Sequence, residues 1–289
     1  MRFRANAPLN PGEVVDARGG SGLGCVPIPL FGGGILGLVA LVLLIVFLNG
    51  GGSNSSSSTS VSGSSDLTSK CTTGAAAQQS EDCGVVAIVD SVQDFWGTEL
   101  PTMGTQYVQA QTVLYTDALS TGCGLASAQE GPFYCPTDKK VYLDLSFFDD
   151  LHNEYGANGG TMAQAYVIAH EYGHHVQDLL GVFNRIGTPT EGPTGTSVRL
   201  ELQADCYAGV WVHHAQETKI IEDVTPSDIS DALSAASAVG DDRLQREETG
   251  TVKPDTFTHG TSAQRDNWFS RGEANGNPAD CDTFSAASL

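Results

Sequence analysis

The sequence predicts an α+β domain, mainly helical with a small sheet, carried behind one transmembrane helix. Two observations carry this. Short segments of alternating hydrophobicity come first and segments of helical periodicity with clear end signals follow, an order that separates strands from helices. Ahead of both runs the uncharged stretch VPIPLFGGGILGLVALVLLIVFL, residues 26–48. A bilayer core of roughly 30 Å needs about 20 such residues at about 1.5 Å each.

Residues 1–25, with Pro8, Asn10, Pro11 and the run GGSGLG, are too polar and glycine-rich to pack and read as a disordered cytoplasmic tail. Residues 26–48 read as a retained anchor, because NGGGSNSSSS follows with no A-x-A-like cleavage site. Arg2, Arg4 and Arg18 precede the anchor and no Lys or Arg follows it before Lys70, so the N-terminus is expected in the cytoplasm and the bulk of the chain outside the cell membrane. The Gly/Ser-rich residues 49–70 read as a flexible linker, and residues 71–289 as the exported domain.

Within that domain, SVQDFWGTEL (91–100) looks helical, while YVQAQTVLYT (107–116) and KVYLDL (140–145) alternate as strands do. Four helices follow. The first ends at Gly181 and the second spans about 198–214. The third opens with Thr225 as cap, Pro226 in the first turn and Asp228 completing a capping box; the fourth opens with Thr261 and Gln264 and stops at Gly272.

Charge and cysteine content bound the class. Lys and Arg number 14 against 34 Asp and Glu, a net charge of −20, which repels nucleic acid and anionic lipid headgroups alike. Cys71, Cys83, Cys123, Cys135, Cys206 and Cys281 make an even set in the expected exported part, in keeping with disulfides in an oxidising compartment. Spacing pairs Cys71 with Cys83 and Cys123 with Cys135, which leaves Cys206 for Cys281.

Chemistry concentrates in AYVIAHEYGHHVQDLLG, residues 165–181, where His170, Glu171 and His174 stand in the order H-E-x-x-H. Residues four apart share a helix face, so both imidazoles can aim at one metal ion, with the intervening glutamate free to act as a base. Ala165, Ile168, Ala169, Tyr172, Val176, Leu179 and Leu180 form an apolar stripe on the other side. A third ligand is needed. A metzincin-like pattern requires Gly at position 177 and His at 180, but Gln177 and Leu180 stand there. RLELQADCYAGVW instead supplies Glu201 as a thermolysin-like third ligand and Asp205, one turn later, as the partner that orients a ligand histidine. The glycines and prolines between the two helices let the second turn back on the first, and Ala204, Ala208 and Gly209 permit close approach.

The sequence resembles the membrane-anchored neutral zinc metallopeptidases of bacteria, from about Cys71 to the C-terminus. The likeness lies in GPFYCP, VYLDLSFF, AYVIAHEYGHHVQ, RLELQADCYAGVW, GDDRLQ, FTHGTSAQR and CDTF, in that order. It implies a zincin-like fold, Zn2+ on His170 and His174, a catalytic Glu171 and the same tail, anchor, linker and domain layout. The expected reaction is hydrolysis of a peptide or protein substrate by zinc-activated water with Glu171 as general base. KVYLDL is placed to pair with an extended substrate as an edge strand. His259 reads either as support for the neighbouring helix cap or as a donor to the oxyanion. His152, His175, His213 and His214 read as surface or structural residues, and Asp241, Asp242 and Arg243 as an ion-pair network. A zinc-containing envelope module that binds a partner without catalysis is the rival class; retention of Glu171 argues against it.

Overall fold

The computed structural model describes residues 1–18 and 65–289, and its first element departs from the expected tail. Arg2–Phe3 (β1) pairs antiparallel with residues of Ile221–Asp223, and Val14–Asp16 (β2) lies parallel to Gln111–Tyr115 (β3). Phe3, Ala7, Leu9 and Val14 are buried. The Asn10 backbone N–H donates to Asp90 at 2.6 Å, and Arg18 forks between Asp16 and Asp82 at 2.8 to 2.9 Å. The residues that read as disorder are turn-formers: the Asn10 side chain accepts from Gly12 and opens a tight turn over Pro11–Glu13. Local composition carries no trace of partners that lie far along the chain.

This packing corrects the expected membrane layout. Residues 1–18 belong to the same fold as residues 65–289, so both flanks of the intervening segment lie on one side of any membrane. A single crossing would put them on opposite sides. Among the described residues no helix is long and apolar enough to cross a membrane. The transmembrane helix in the expected fold class and the single-pass placement with a cytoplasmic N-terminus are therefore not supported, and residues 26–48 themselves lie outside the described residues.

The expected linker also ends early, because Ser65–Lys70 forms a helix (α1) with Leu67 buried. Gly74–Ala77 (α2) and Glu81–Thr102 (α3) follow, tied by the Cys71–Cys83 disulfide. Helix α3 is much longer than its amphipathic end at 91–100 indicates. Its first half, CGVVAIVDSV, is buried on every face and has no polar stripe to betray a helical period.

Beyond β3 come the hairpin Ala118–Thr121 (β4) and Gly124–Ser127 (β5), then Phe133–Cys135 (β6) and Lys140–Asp144 (β7). The sheet order is β2-β3-β7-β6, with the first three parallel and β6 antiparallel at the edge. KVYLDL is thus an interior strand, and the edge falls to the short β6. Leu114, Val141 and Leu143 face the helical core, while Val113, Tyr115 and Tyr142 face a smaller core with Cys123, Ala126 and Cys135. The Cys123–Cys135 disulfide fastens the hairpin to β6.

The remaining helices are Ser146–Asn153 (α4), Thr161–Leu179 (α5), Val182–Ile186 (α6), Thr196–His214 (α7), Pro226–Ala238 (α8), Asp241–Thr249 (α9) and Ser262–Asn275 (α10); Ile221–Asp223 is strand β8. Both capping boxes are present, Thr225 with Asp228 and Thr261 with Gln264. Gly272 does not stop α10. It lies within the helix, where a Cβ would stand 2.0 Å from the Cys206 carbonyl oxygen, and one on Gly209 would stand 2.1 Å from that of Phe269. Helix α10 ends instead at Gly276, whose φ of 64° suits glycine. The Cys206–Cys281 disulfide closes this corner, so all three cysteine pairs are those expected from spacing.

If residues 1–18 are integral, Phe3→Ala in the full chain should cost about 3–5 kcal/mol of stability, as large-to-small changes in a packed core do. Denaturant unfolding measures this, and a free tail would give no change.

Candidate metal centre

Helix α5 is buried along most of its length, and its turn from His170 to His174 faces α7. Gly173 sets the separation. A Cβ there would lie 3.0 Å from both Cα and O of Ala204, so the helices touch backbone to backbone. That approach brings Glu201 within reach of both histidines. Glu201 Oε2 is 3.2 Å from His170 Nε2 and Oε1 is 3.4 Å from His174 Nε2. One ligand atom from each of the three residues lies within 4.8 Å of the others, and among the described residues this is the one such group.

Each imidazole is held from behind. His170 Nδ1 meets Asp205 Oδ1 at 2.8 Å, and His174 Nδ1 meets Gln177 Oε1 at 2.8 Å. Gln177 is fixed in turn by donating to the Leu200 carbonyl at 2.7 Å and to Gln203 at 3.2 Å. With both Nδ1 atoms bonded to acceptors, both Nε2 lone pairs are left for a cation. Two imidazoles, one carboxylate and outer partners on both rings fit a zinc ion with one open position.

The electrostatics follow from burial. Burial alone would raise Glu201, but His174, His170 and His259 hold its carboxyl well below the usual range. Burial likewise opposes ionisation of Asp205, and the Arg265 guanidinium with His170 brings it down to about 2. Burial disfavours charge on His170 too, yet Asp205 and Glu201 push it up to about 10, whereas His174 is lowered by burial with His170 beside it. Glu171 is buried and pushed up to about 8 by desolvation, with His170 opposing. The backbone N–H of Tyr134 in β6 faces its carboxylate, so the edge strand runs past Glu171.

Several residues at the site were not legible as such. Asp241, expected in an ion-pair network, is buried, and its Oδ2 accepts the backbone N–H groups of Thr258, His259 and Gly260 at 2.7 to 2.9 Å. Its Oδ1 lies 3.3 Å from His259 Nδ1. The network expected there is reduced to Arg243 with Glu247 at 3.0 Å and Arg246 with Asp242 at 3.9 Å. Asp241 thus shapes the turn before α10 and holds His259, whose charge acts on Glu201. Arg265 is the largest omission. It is buried against Asp205, with Nε 2.9 Å from Oδ2 and a terminal nitrogen 3.0 Å from Oδ1. Tyr166 adds a hydroxyl 2.5 Å from Asp205 Oδ1. A cation in the first turn of a helix, where the dipole disfavours it, was the available signal.

The other histidines each meet a carbonyl. His152 contacts Ala157 O at 2.9 Å, His213 contacts Glu273 O at 2.6 Å and His214 contacts Gly276 O at 2.9 Å. His175, fully buried, joins the Tyr134 hydroxyl at 3.0 Å to Val108 O at 2.6 Å.

Two histidines from α5 and a glutamate from α7, backed by a buried aspartate, form a site that could hold a metal ion on a domain of mixed helix and sheet. The chain belongs to the family described as "Putative neutral zinc metallopeptidase", which matches residues 1–284 and so takes in the N-terminal segment. It is 49% identical over 228 residues to an uncharacterized protein of Mycobacterium tuberculosis, covering 76% of each chain. An uncharacterized protein of Escherichia coli, YpfJ, is 49% identical over 202 residues, 68% of this chain and 69% of its own. No solved structure matches the chain.

Gly173→Ala tests the helix approach. The added methyl must push α7 away, so zinc affinity is expected to fall by about 10-fold or more, in the range seen when support of a ligand is lost. Competition with a chelator measures it, and circular dichroism should show the fold retained.

Proposed function

We propose that the chain is a zinc-dependent peptidase with His170, His174 and Glu201 as metal ligands and Glu171 as general base. The observation that carries this is the convergence of the three ligand side chains beside a buried glutamate that faces an edge strand. Zinc at this position supplies a Lewis acid for the scissile carbonyl and a water acidified to a pKa of about 7. Glu171 stands outside the group of converging ligand atoms. It takes the proton of the attacking water and passes it to the leaving amine as the C–N bond breaks.

The substrate is an extended peptide or protein segment lying along β6, whose outer side has no strand partner among the described residues. The Thr258 hydroxyl and Asp241 meet His259 at Nδ1, and the ring is near enough to the metal centre for its charge to act on Glu201. A donor there would stabilise charge developing on the carbonyl oxygen, while the Asp241 contacts to the turn before α10 support the structural reading beside it. Three disulfides suit an oxidising compartment, and the strongly acidic composition disfavours nucleic acid as a partner.

Glu171→Gln is expected to abolish cleavage of a peptide library while one zinc per chain stays bound, as metal analysis would show; cleavage equal to the parent's would end the assignment. The two acids of α7 should separate. Glu201→Ala is expected to lose zinc at micromolar free metal, whereas Asp205→Asn keeps it with an affinity lowered by about 10- to 100-fold. The reverse order in a chelator titration would make Asp205 the ligand.

A further inference from the structure

Asp205 is completely buried, and a lone ionised carboxylate in that position would be strongly disfavoured. Both its oxygens are occupied. Oδ1 accepts from Tyr166, from His170 Nδ1 and from a terminal nitrogen of Arg265; Oδ2 accepts from Arg265 Nε. Arg265 is itself buried and also donates to the Tyr166 hydroxyl at 3.1 Å. Its fork therefore spans both carboxylate oxygens from helix α10, on the side away from the histidine.

This matters because a buried Asp–His pair alone has a choice. The proton can sit on either partner, and a protonated carboxyl can rotate and present the wrong atom to the ring. A guanidinium removes the choice, because it has five N–H donors and no acceptor, and its planar fork matches a carboxylate. Asp205 is then an acceptor only, locked in plane, and His170 must place N–H on Nδ1. The lone pair at Nε2 is thereby directed at the point it shares with His174 and Glu201.

We propose that Arg265 is a positioning residue of the metal centre: through Asp205 it sets the ring orientation of His170, and so the affinity for the metal, without touching the metal itself. The inference rests on the ligand assignment proposed above but not on peptidase activity.

The test uses the full chain with zinc as probe and chelator competition as readout. Arg265→Lys keeps the charge but cannot span both oxygens, and it should weaken zinc binding by about 10-fold; Arg265→Met should weaken it by about 100-fold, the range for loss of an outer partner. The Nδ1 proton of His170 should appear by NMR as a slowly exchanging downfield signal in the parent and in Arg265→Lys, and be lost in Arg265→Met. Trp268→Phe, a buried change on the same helix that leaves Asp205 untouched, serves as the packing control and should bind zinc within about 3-fold of the parent, since it removes none of the outer partners on which ligand support depends. If Arg265→Met does not fold, the Lys variant and the control still decide. Parental zinc affinity in Arg265→Lys, or an equal loss in Trp268→Phe, overturns the proposal. A parent that binds zinc but cleaves nothing would refute the peptidase reading alone.

Discussion

The buried Asp205 carboxylate is the point on which the rest of the centre depends. It stands on α7 and takes donors from α5, through Tyr166 and His170, and from α10, through Arg265. Three helices far apart in sequence are thus joined at one pair of oxygens. Removing one partner from a buried charge of this kind typically costs about 3–5 kcal/mol, which makes their arrangement an all-or-none matter. The proposed metal ligands His170 and Glu201 belong to two of these helices, so the same contact that satisfies a buried charge also sets their geometry.

Such a contact needs the helices closer than ordinary side chains allow. Gly173 meets the backbone at Ala204, while Gly209 and Gly272 meet the backbones of the opposing helices α10 and α7. The Cys206–Cys281 disulfide secures the end of this stack. On the other side of α5 the sheet brings β6 past Glu171, and the N-terminal β2 forms its opposite edge by pairing with β3. The segment that reads as a loose tail is therefore an outer strand of the sheet that runs past the site.

The sequence was informative where the cause is local. An i, i+4 histidine pair with an intervening glutamate is a statement about one helix turn, and two capping boxes are statements about four residues each. The cysteine pairs with short spacing were legible for the same reason. Illegible were the elements whose residue types answer to distant partners. Asn10 and Pro11 look like disorder unless Asp90 is known to be beside them, CGVVAIVDSV hides its helix because every face is buried, and Gly272 looks like a stop because its true contact is the backbone of another helix.

By itself, then, the sequence determined a domain of mixed helix and sheet, without the expected membrane helix, and the candidate residues His170, Glu171, His174, Glu201 and Asp205, because helical periodicity and side-chain chemistry are properties of short segments. Only the tertiary structure decided which strand is the edge, that residues 1–18 share the fold of residues 65–289, and that Arg265, Gln177 and Asp241 stand behind the site. These depend on which backbones come within hydrogen-bonding distance across long loops. That proximity is set by the packing of the whole core and leaves no period or spacing in the chain to read.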